Sequence, residues 1–122
     1  MNCKWLMALF FLLAPAAWAE PALDAGQQRV SAAIDTWRSC IRQELQLQID
    51  SIASAAFIAE ATLSLCDAPF WQLQQLMLSD MLARDTQASE DKIVQLVGDS
   101  LRDVKDNHRA KIISLVLKHR AR

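Results

Sequence analysis

The sequence predicts an all-α fold: a small three- to four-helix up-down bundle with a disulfide-clipped N-terminal αα-hairpin. Three observations lead to this prediction. The 122 residues include only two glycines and three prolines, so β-hairpins and long loops lack their usual turn residues. Apolar residues recur at intervals of three and four, which is the period of one face of a helix. Cys40 and Cys66 are each 13 residues from residue 53. Residue 53 lies in the one short run of turn-forming residues, 50–54.

Residues 1–19 are predicted to be a signal peptide. They combine one positive charge, Lys4, with an apolar run over residues 5–14 and a small-x-small triplet that ends at Ala19, the pattern that a signal peptidase cuts. Cleavage is expected between Ala19 and Glu20, which gives a periplasmic or secreted protein. The apolar run is shorter than the roughly 20 residues that span a bilayer. No stable membrane anchor is therefore expected after cleavage.

The mature chain is predicted to consist of a short lead-in and one domain. Residues 20–24 are expected to be mobile, and residues 25–122 are expected to form a single helical domain. Because Lys4 leaves with the signal peptide, the mature chain holds 12 basic and 14 acidic residues. This near balance provides no strong electrostatic footprint for nucleic acid, so no nucleic-acid partner is expected.

A structural disulfide between Cys40 and Cys66 is predicted from their placement. Two antiparallel helices joined near residue 53 bring both cysteines to the same level. A disulfide requires Cα atoms about 5.5–6 Å apart, closer than most packed helices approach, so the facing side chains must be small. One helical stripe that leads to Cys66 is indeed small: Ala55, Ala59 and Thr62. A redox-active pair is the alternative, but the chain has no Cys-x-x-Cys motif.

The first helix is predicted to begin near Ala25 and to end around residue 49 or 50. Asp24 and Gln27 fit a capping box, in which the first residue accepts a hydrogen bond at the start of the helix. One apolar face follows at steps of three and four: Val30, Ile34, Trp37, Ile41, Leu45 and Ile49.

The second helical rod is predicted to be interrupted at Pro69. Ser54 is a plausible N-cap for a helix over residues 55–66. Because a proline inside a helix removes a hydrogen bond and clashes with the preceding turn, the chain either kinks there or restarts as a third helix at Pro69, with Asp67 as its cap. This rod is expected to run back beside the first helix and to end near residue 85, with Asp80 level with Gly26.

The last helix is predicted to start after Ser89, with Glu90 and Asp91 in the first turn, where the helix dipole favours negative charge. It is expected to end in a basic tail. Its predicted core seam follows a nearly heptad spacing. The seam residues are Val94, Val97, Leu101, Val104, His108, Ile112 and Leu115.

One pattern runs through the first two predicted helices: Trp37-x-x-Cys40, an alanine-rich turn and helix, Ile58-Ala59-x-Ala61, and Cys66. This pattern resembles a type of small exported protein common in proteobacteria, whose members are mostly uncharacterised. The resemblance covers residues 37–66 and consists of helix-packing residues without a catalytic signature. It implies the disulfide-clipped hairpin and a place outside the cytoplasm, and it implies no activity.

The sequence points to a non-catalytic role. His108 and His119 are the only histidines, and no glycine-rich phosphate loop is present, so no enzymatic activity and no cofactor are expected. The leading hypothesis is a small soluble periplasmic protein that binds an unknown protein partner or itself, with a chaperone-like role left open. The predicted interaction surface consists of apolar residues beyond those that a small three-helix core needs, and large exposed apolar patches often mark binding sites. It consists of Trp71, Leu78, Leu82, Val116 and Leu117.

The alternative hypothesis is a metal- or haem-binding bundle. Exported helical bundles can hold haem through a Met and a His, or copper through thioether and imidazole ligands. Met77, Met81 and His108 would supply those ligands. The competing interpretation of the same residues is that both methionines fill the core and that His108 lies at the core edge, bonded to a neighbour.

Overall fold

The computed structural model describes residues 24–85 and 87–122, and in this part of the chain it contains four α-helices and no strand. The predicted all-α class is therefore confirmed. The predicted signal peptide and nearly all of the predicted lead-in lie outside the described residues. The helices are α1 (Ala25–Gln48), α2 (Ala55–Leu65), α3 (Asp67–Arg84) and α4 (Glu90–Arg120).

Three of the four helices begin at the residue that the capping pattern predicts. Asp24, Ser54 and Ser89 each have extended backbone and accept a hydrogen bond from the backbone N–H three residues later. The donor–acceptor distances are 2.9, 3.1 and 3.3 Å respectively. Each side chain satisfies one of the N–H groups that the first turn of a helix leaves without a partner.

The second rod is broken at Cys66, three residues before Pro69. Cys66 ends α2 and also precedes the first residue of α3, so the break is one residue long. The helix therefore restarts at Asp67, two residues before the predicted start at Pro69, and its cap position is Cys66, one residue before the predicted cap at Asp67. Pro69 is instead the third residue of α3, where a missing N–H costs no intrahelical hydrogen bond. The first backbone bond of the new helix runs from Phe70 N–H to the carbonyl oxygen of Cys66 at 3.2 Å.

The predicted disulfide between Cys40 and Cys66 is formed, with the two Cα atoms 5.9 Å apart. It joins the middle of α1 to the point where α2 gives way to α3. The predicted small-residue stripe on α2, which leads to Cys66, is buried, since none of Ala55, Ala59 and Thr62 has more than 8% of its surface exposed. Small side chains at these positions allow the two helices to approach closely enough for the bond.

The core consists of two clusters. The first surrounds Trp37 and includes Ile58, Leu63, Ile112 and Val116. The second lies between α3 and α4, and its buried members are Leu73, Ile93, Val97 and Leu101. Phe70 packs against both clusters and so connects them.

The buried stripe of α4 differs from the predicted seam at both ends. Val94 and Leu115 are exposed, whereas their neighbours Ile93 and Val116 are buried. The observed stripe advances mainly in steps of four residues, which exceeds the 3.6 residues of one helical turn. It therefore drifts around the helix, so that its first half packs in the second cluster and its second half in the first.

The closest helix packing in the described residues pairs α1 with α2 and α3, and α4 with the same two helices. α1 and α4 are not among the closely packed pairs. The predicted proximity of Asp80 to Gly26 is confirmed, since a Cβ atom at Gly26 would collide with the Asp80 carboxylate. Surface ion pairs connect the elements further. They are Asp24–Arg84, Asp67–Lys105 and Glu60–Arg109, and His119 also contacts the Asp50 carboxylate.

Asp24 gives the fold a pH-dependent contribution. The backbone N–H of Gln27 donates to its carboxylate, and the Arg84 guanidinium pairs with it; these interactions, the backbone bond foremost, hold the pKa of Asp24 below its ordinary value of 3.8. A carboxylate whose folded-state pKa is lowered stabilises the fold fully above the ordinary pKa. That stabilisation is lost as the pH falls through the folded-state value.

We expect Asp24→Asn to lower the Tm at neutral pH and to have progressively less effect as the pH falls below 3.8. Asparagine still caps a helix, so the charge is the main property removed. Thermal unfolding of the wild type and of Asp24→Asn across the acidic pH range measures the difference in Tm between them. Asp103→Asn, the same change at an exposed residue in the middle of α4, is the control. A gap between wild type and Asp24→Asn that stays constant down to the lowest pH would contradict the assignment.

Candidate functional site

Two surface regions of the described structure combine exposed apolar groups with a defined shape. The first is a patch on α3 that contains Trp71, Leu78 and Leu82, hereafter the α3 patch. These residues follow one another at intervals of seven and four, so they share one face of the helix. Trp71 is 61% exposed and Leu82 39%, whereas Leu78 is half-buried and also packs against the second core cluster.

Two of the three residues of the α3 patch, Trp71 and Leu78, lie in an uncharged stretch of the chain, and Leu82 follows just beyond it. Residues 68–79 contain no Asp, Glu, Lys or Arg. Charged groups flank this stretch, with Asp67 paired to Lys105 before it and Asp80 paired to Arg84 after it. The result is an apolar and amide-bearing face with a charged rim, which is the composition of a protein interface core rather than of an ordinary solvated helix.

The remaining members of the predicted interaction surface do not join this patch. Val116 is fully buried in the first core cluster, so its place on an exposed surface is wrong. Leu117 is exposed but lies near the α1–α2 connection, where the adjacent residues His119 and Arg120 contact Asp50 and the Ser51 carbonyl oxygen. Lys105 of α4 contacts Asp67 at the start of α3. Leu117 is about 18 Å further along α4 from Lys105, beyond the end of α3 at which the patch begins.

The structure does not bring together the three residues of the predicted metal or haem site. Met77 and Met81 pack against the second core cluster. The contact between Asp67 and Lys105 fixes the level at which the start of α3 meets α4. Met77 lies about 15 Å and Met81 about 21 Å further along α3 from Asp67. His108 lies one turn beyond Lys105, against the Trp37 ring at a centroid distance of 4.5 Å. His108 therefore packs against α1, whereas the two methionines pack in the second core cluster.

The two histidines have separate surroundings. The Nδ1–H of His108 donates to the carbonyl oxygen of Val104 at 2.9 Å, which agrees with the interpretation that this residue lies at the core edge bonded to a neighbour. His119 Nε2 lies 2.7 Å from the Asp50 carboxylate on the exposed surface. Within residues 24–85 and 87–122, no cluster of three or more His, Cys, Asp and Glu side chains has an arrangement that could hold a metal ion.

The second region is an open groove between α1 and α4, which no sequence pattern predicted. Its volume is about 460 Å³. It exists because α2 and α3 pack closely against both α1 and α4, while α1 and α4 do not pack closely against each other. Both apolar and basic side chains line it. The lining residues are Arg38, Ile41, Arg42, Leu45, His108, Lys111, Ile112 and Leu115.

The basic residues of this groove have no carboxylate partner, as is also true of five of the nine other Lys and Arg residues in the described part of the chain. Arg84, Arg102 and Arg109 each pair with at least one carboxylate. Arg38, Arg42 and Lys111 form no ion pair with any residue that the structure describes. The groove therefore presents uncompensated positive charge beside buried apolar groups, although the whole chain carries a net charge of −1.

A sequence signal for the groove exists but is weak. Arg38 and Arg42 are one helical turn apart on α1, and each lies three residues before a buried apolar residue, Ile41 or Leu45. In the sequence such arginines resemble any solvated helix face. Their significance depends on the separation of α1 from α4, which no local pattern encodes.

No helix in the described part of the chain is both long enough and apolar enough to cross a membrane. No protein-family model, curated protein or solved structure matches this chain.

Proposed function

We propose that this chain is a small exported, non-catalytic helical protein that binds other proteins through the α3 patch. The role is chaperone-like or directed at a dedicated partner, with self-association as the competing mode. One observation carries the proposal: Trp71 and Leu82 are exposed on one face of α3, and Trp71 lies in a twelve-residue stretch, 68–79, that lacks any charge. Tryptophan is enriched among the residues that dominate binding energy at protein interfaces, and charged residues are depleted there.

The proposed periplasmic or secreted location is supported by two features. Residues 1–19 have the composition of a cleavable signal peptide, with cleavage proposed between Ala19 and Glu20. The Cys40–Cys66 disulfide is a bond that persists mainly in oxidising compartments. Both features agree with the resemblance of residues 37–66 to small exported proteobacterial proteins. Cell fractionation and the mass of the purified protein test the location, and a mass that retains residues 1–19 would contradict it.

We also propose that the single domain over residues 25–122 is an up-down bundle in which α2 and α3 return together between α1 and α4. Three contacts support this arrangement, because they join neighbouring helices at one end of the bundle, in its middle and at its other end. Asp24 at the start of α1 pairs with Arg84 at the end of α3, Cys40 bonds Cys66 in the middle, and Asp50 pairs with His119 beyond the end of α1. Interhelical NMR contacts between the residues around Gly26 and Asp80 test it.

The binding proposal is tested with the double variant Trp71→Ser/Leu82→Ser. Thermally unfolding citrate synthase is a suitable client, because its aggregation requires no reductant that would open the disulfide. We expect the wild-type protein to suppress light scattering in a concentration-dependent manner. The variant should need at least about 30-fold more protein for the same effect, since loss of an interface anchor costs 2 kcal/mol or more.

The matched control is Leu47→Ser/Leu96→Ser, which removes two exposed leucines from outside the α3 patch. It should behave as the wild type. Native mass measured on the same samples separates the modes: a mass that falls to the monomer only in the α3 patch variant indicates self-association. A wild-type protein that is monomeric and leaves client aggregation unchanged would reject the proposal, as would equal loss in the control variant.

A further inference from the structure

We propose that the groove between α1 and α4 binds a single-chain fatty acid, with the carboxylate held by Arg38, Arg42 and Lys111 and the chain lying on the apolar floor. The groove is formed by α1 and α4, whereas the α3 patch belongs to α3. This inference therefore goes beyond the proposed protein-binding function and does not depend on it.

The apolar floor provides the first argument. Ile41, Leu45 and Ile112 are buried core residues whose outer surfaces line the groove, and Leu115 extends this surface while remaining exposed. An apolar chain that lies here removes its own surface and that of Leu115 from water, which is favourable in proportion to the area covered. A purely polar ligand gains nothing from this floor.

The charges provide the second argument. Arg38 and Arg42 belong to α1 and Lys111 to α4, so both walls of the groove carry positive charge. The three cationic groups have no carboxylate partner in the described residues, so a bound carboxylate meets them without first breaking an ion pair. Guanidinium groups bind carboxylates with two parallel hydrogen bonds. The groove therefore selects an anion over a cation of the same shape.

The size of the groove provides the third argument, because it distinguishes a small molecule from a protein partner. Its volume of about 460 Å³ falls within the range of about 300–1,000 Å³ that is usual for small-molecule sites. Eight residues line it, whereas a stable protein interface engages about 20–30 residues on each side. A single acyl chain with one charged head group matches both the shape and the charge.

The test is calorimetric titration with dodecanoate below its micelle concentration, on protein purified with its disulfide intact. Dodecyltrimethylammonium serves as the cationic ligand of equal chain length, and acetate as the head group alone. We expect saturable one-to-one binding of dodecanoate, at least tenfold weaker binding of the cationic ligand, and no detectable binding of acetate. Added salt should weaken dodecanoate binding, because the cationic groups remain partly exposed.

Two variants and one control locate the site. R38Q/R42Q should weaken dodecanoate binding at least tenfold, and Leu115→Ser should weaken it while leaving the preference for the anion intact. Lys92→Gln removes a positive charge from the first turn of α4, about 28 Å along the helix from Lys111, and should change nothing. Circular dichroism and the Tm of each variant verify that the fold is retained.

Three outcomes would overturn the inference. The first is the absence of saturable dodecanoate binding to the wild-type protein. The second is equal binding to the wild type and R38Q/R42Q, which would place the ligand elsewhere, for instance on the α3 patch. The third is a change in native mass caused by R38Q/R42Q, which would show that a second copy of the chain occupies the groove.

Discussion

Removal of the Cys40–Cys66 disulfide is expected to lower the free energy of unfolding by about 3.5 kcal/mol. The two cysteines are 26 residues apart. In the chain-entropy model, closing a loop of that length lowers the entropy of the unfolded chain, which raises its free energy by about 3.5 kcal/mol. Domains of this size are stable by about 5–15 kcal/mol in total. The loss should appear as a fall in Tm of roughly 15–25 °C.

Urea unfolding of the oxidised wild type and of Cys40→Ala/Cys66→Ala measures this difference. Cys66 is fully buried, so the substitution also removes packing around its sulfur atom. The wild type reduced with a non-thiol phosphine is the necessary control, because it keeps both sulfur atoms and lacks only the bond. Equal unfolding free energies for the oxidised and reduced wild type would show that the bond does not stabilise the fold.

Replacement of Trp37 by alanine is expected to cost about 3–5 kcal/mol, the range observed when a large aromatic side chain is removed from a core. Trp37 is completely buried in the first core cluster. Its ring contacts Phe70 at a centroid distance of 5.0 Å and His108 at 4.5 Å, so it joins α1 to α3 and α4. Denaturant unfolding with the disulfide intact measures the loss.

The chain offers a matched control in Trp71→Ala, the same substitution at an exposed position on α3. It should change stability by no more than about 0.5 kcal/mol. Trp37→Phe should cost clearly less than Trp37→Ala, since most of the ring is kept and the indole N–H has no hydrogen-bond partner in the described residues to lose. Equal costs for Trp37→Ala and Trp71→Ala would mean that the first core cluster is not organised around Trp37.

Local chemistry made much of the fold predictable. Asp24, Ser54 and Ser89 cap helices through bonds to residues three positions away, so the signal lies within a few letters of sequence. The disulfide was predictable for a related reason, since the spacing of Cys40 and Cys66 about one turn specifies their level on two antiparallel helices.

Features that depend on how whole helices pack were not predictable. The seam of α4 passes through Val116 rather than Leu115 because the helix changes partners along its length, and this one-residue difference placed a core valine on the predicted interaction surface. The groove was missed for the same reason. Arg38 and Arg42 gain their significance from a gap between α1 and α4, which is set by the packing of α2 and α3 between them.

The position of the disulfide at the one-residue break has a mechanical consequence. Cys66 is the junction of α2 and α3, and its sulfur is covalently attached to α1 at Cys40, two residues from both Arg38 and Arg42. The start of α3 is therefore fixed to α1 by the disulfide, so a tilt of α3 about its first turn also acts on α1. A protein that displaced α3 at the α3 patch would push, through the disulfide, on the wall that carries the two arginines.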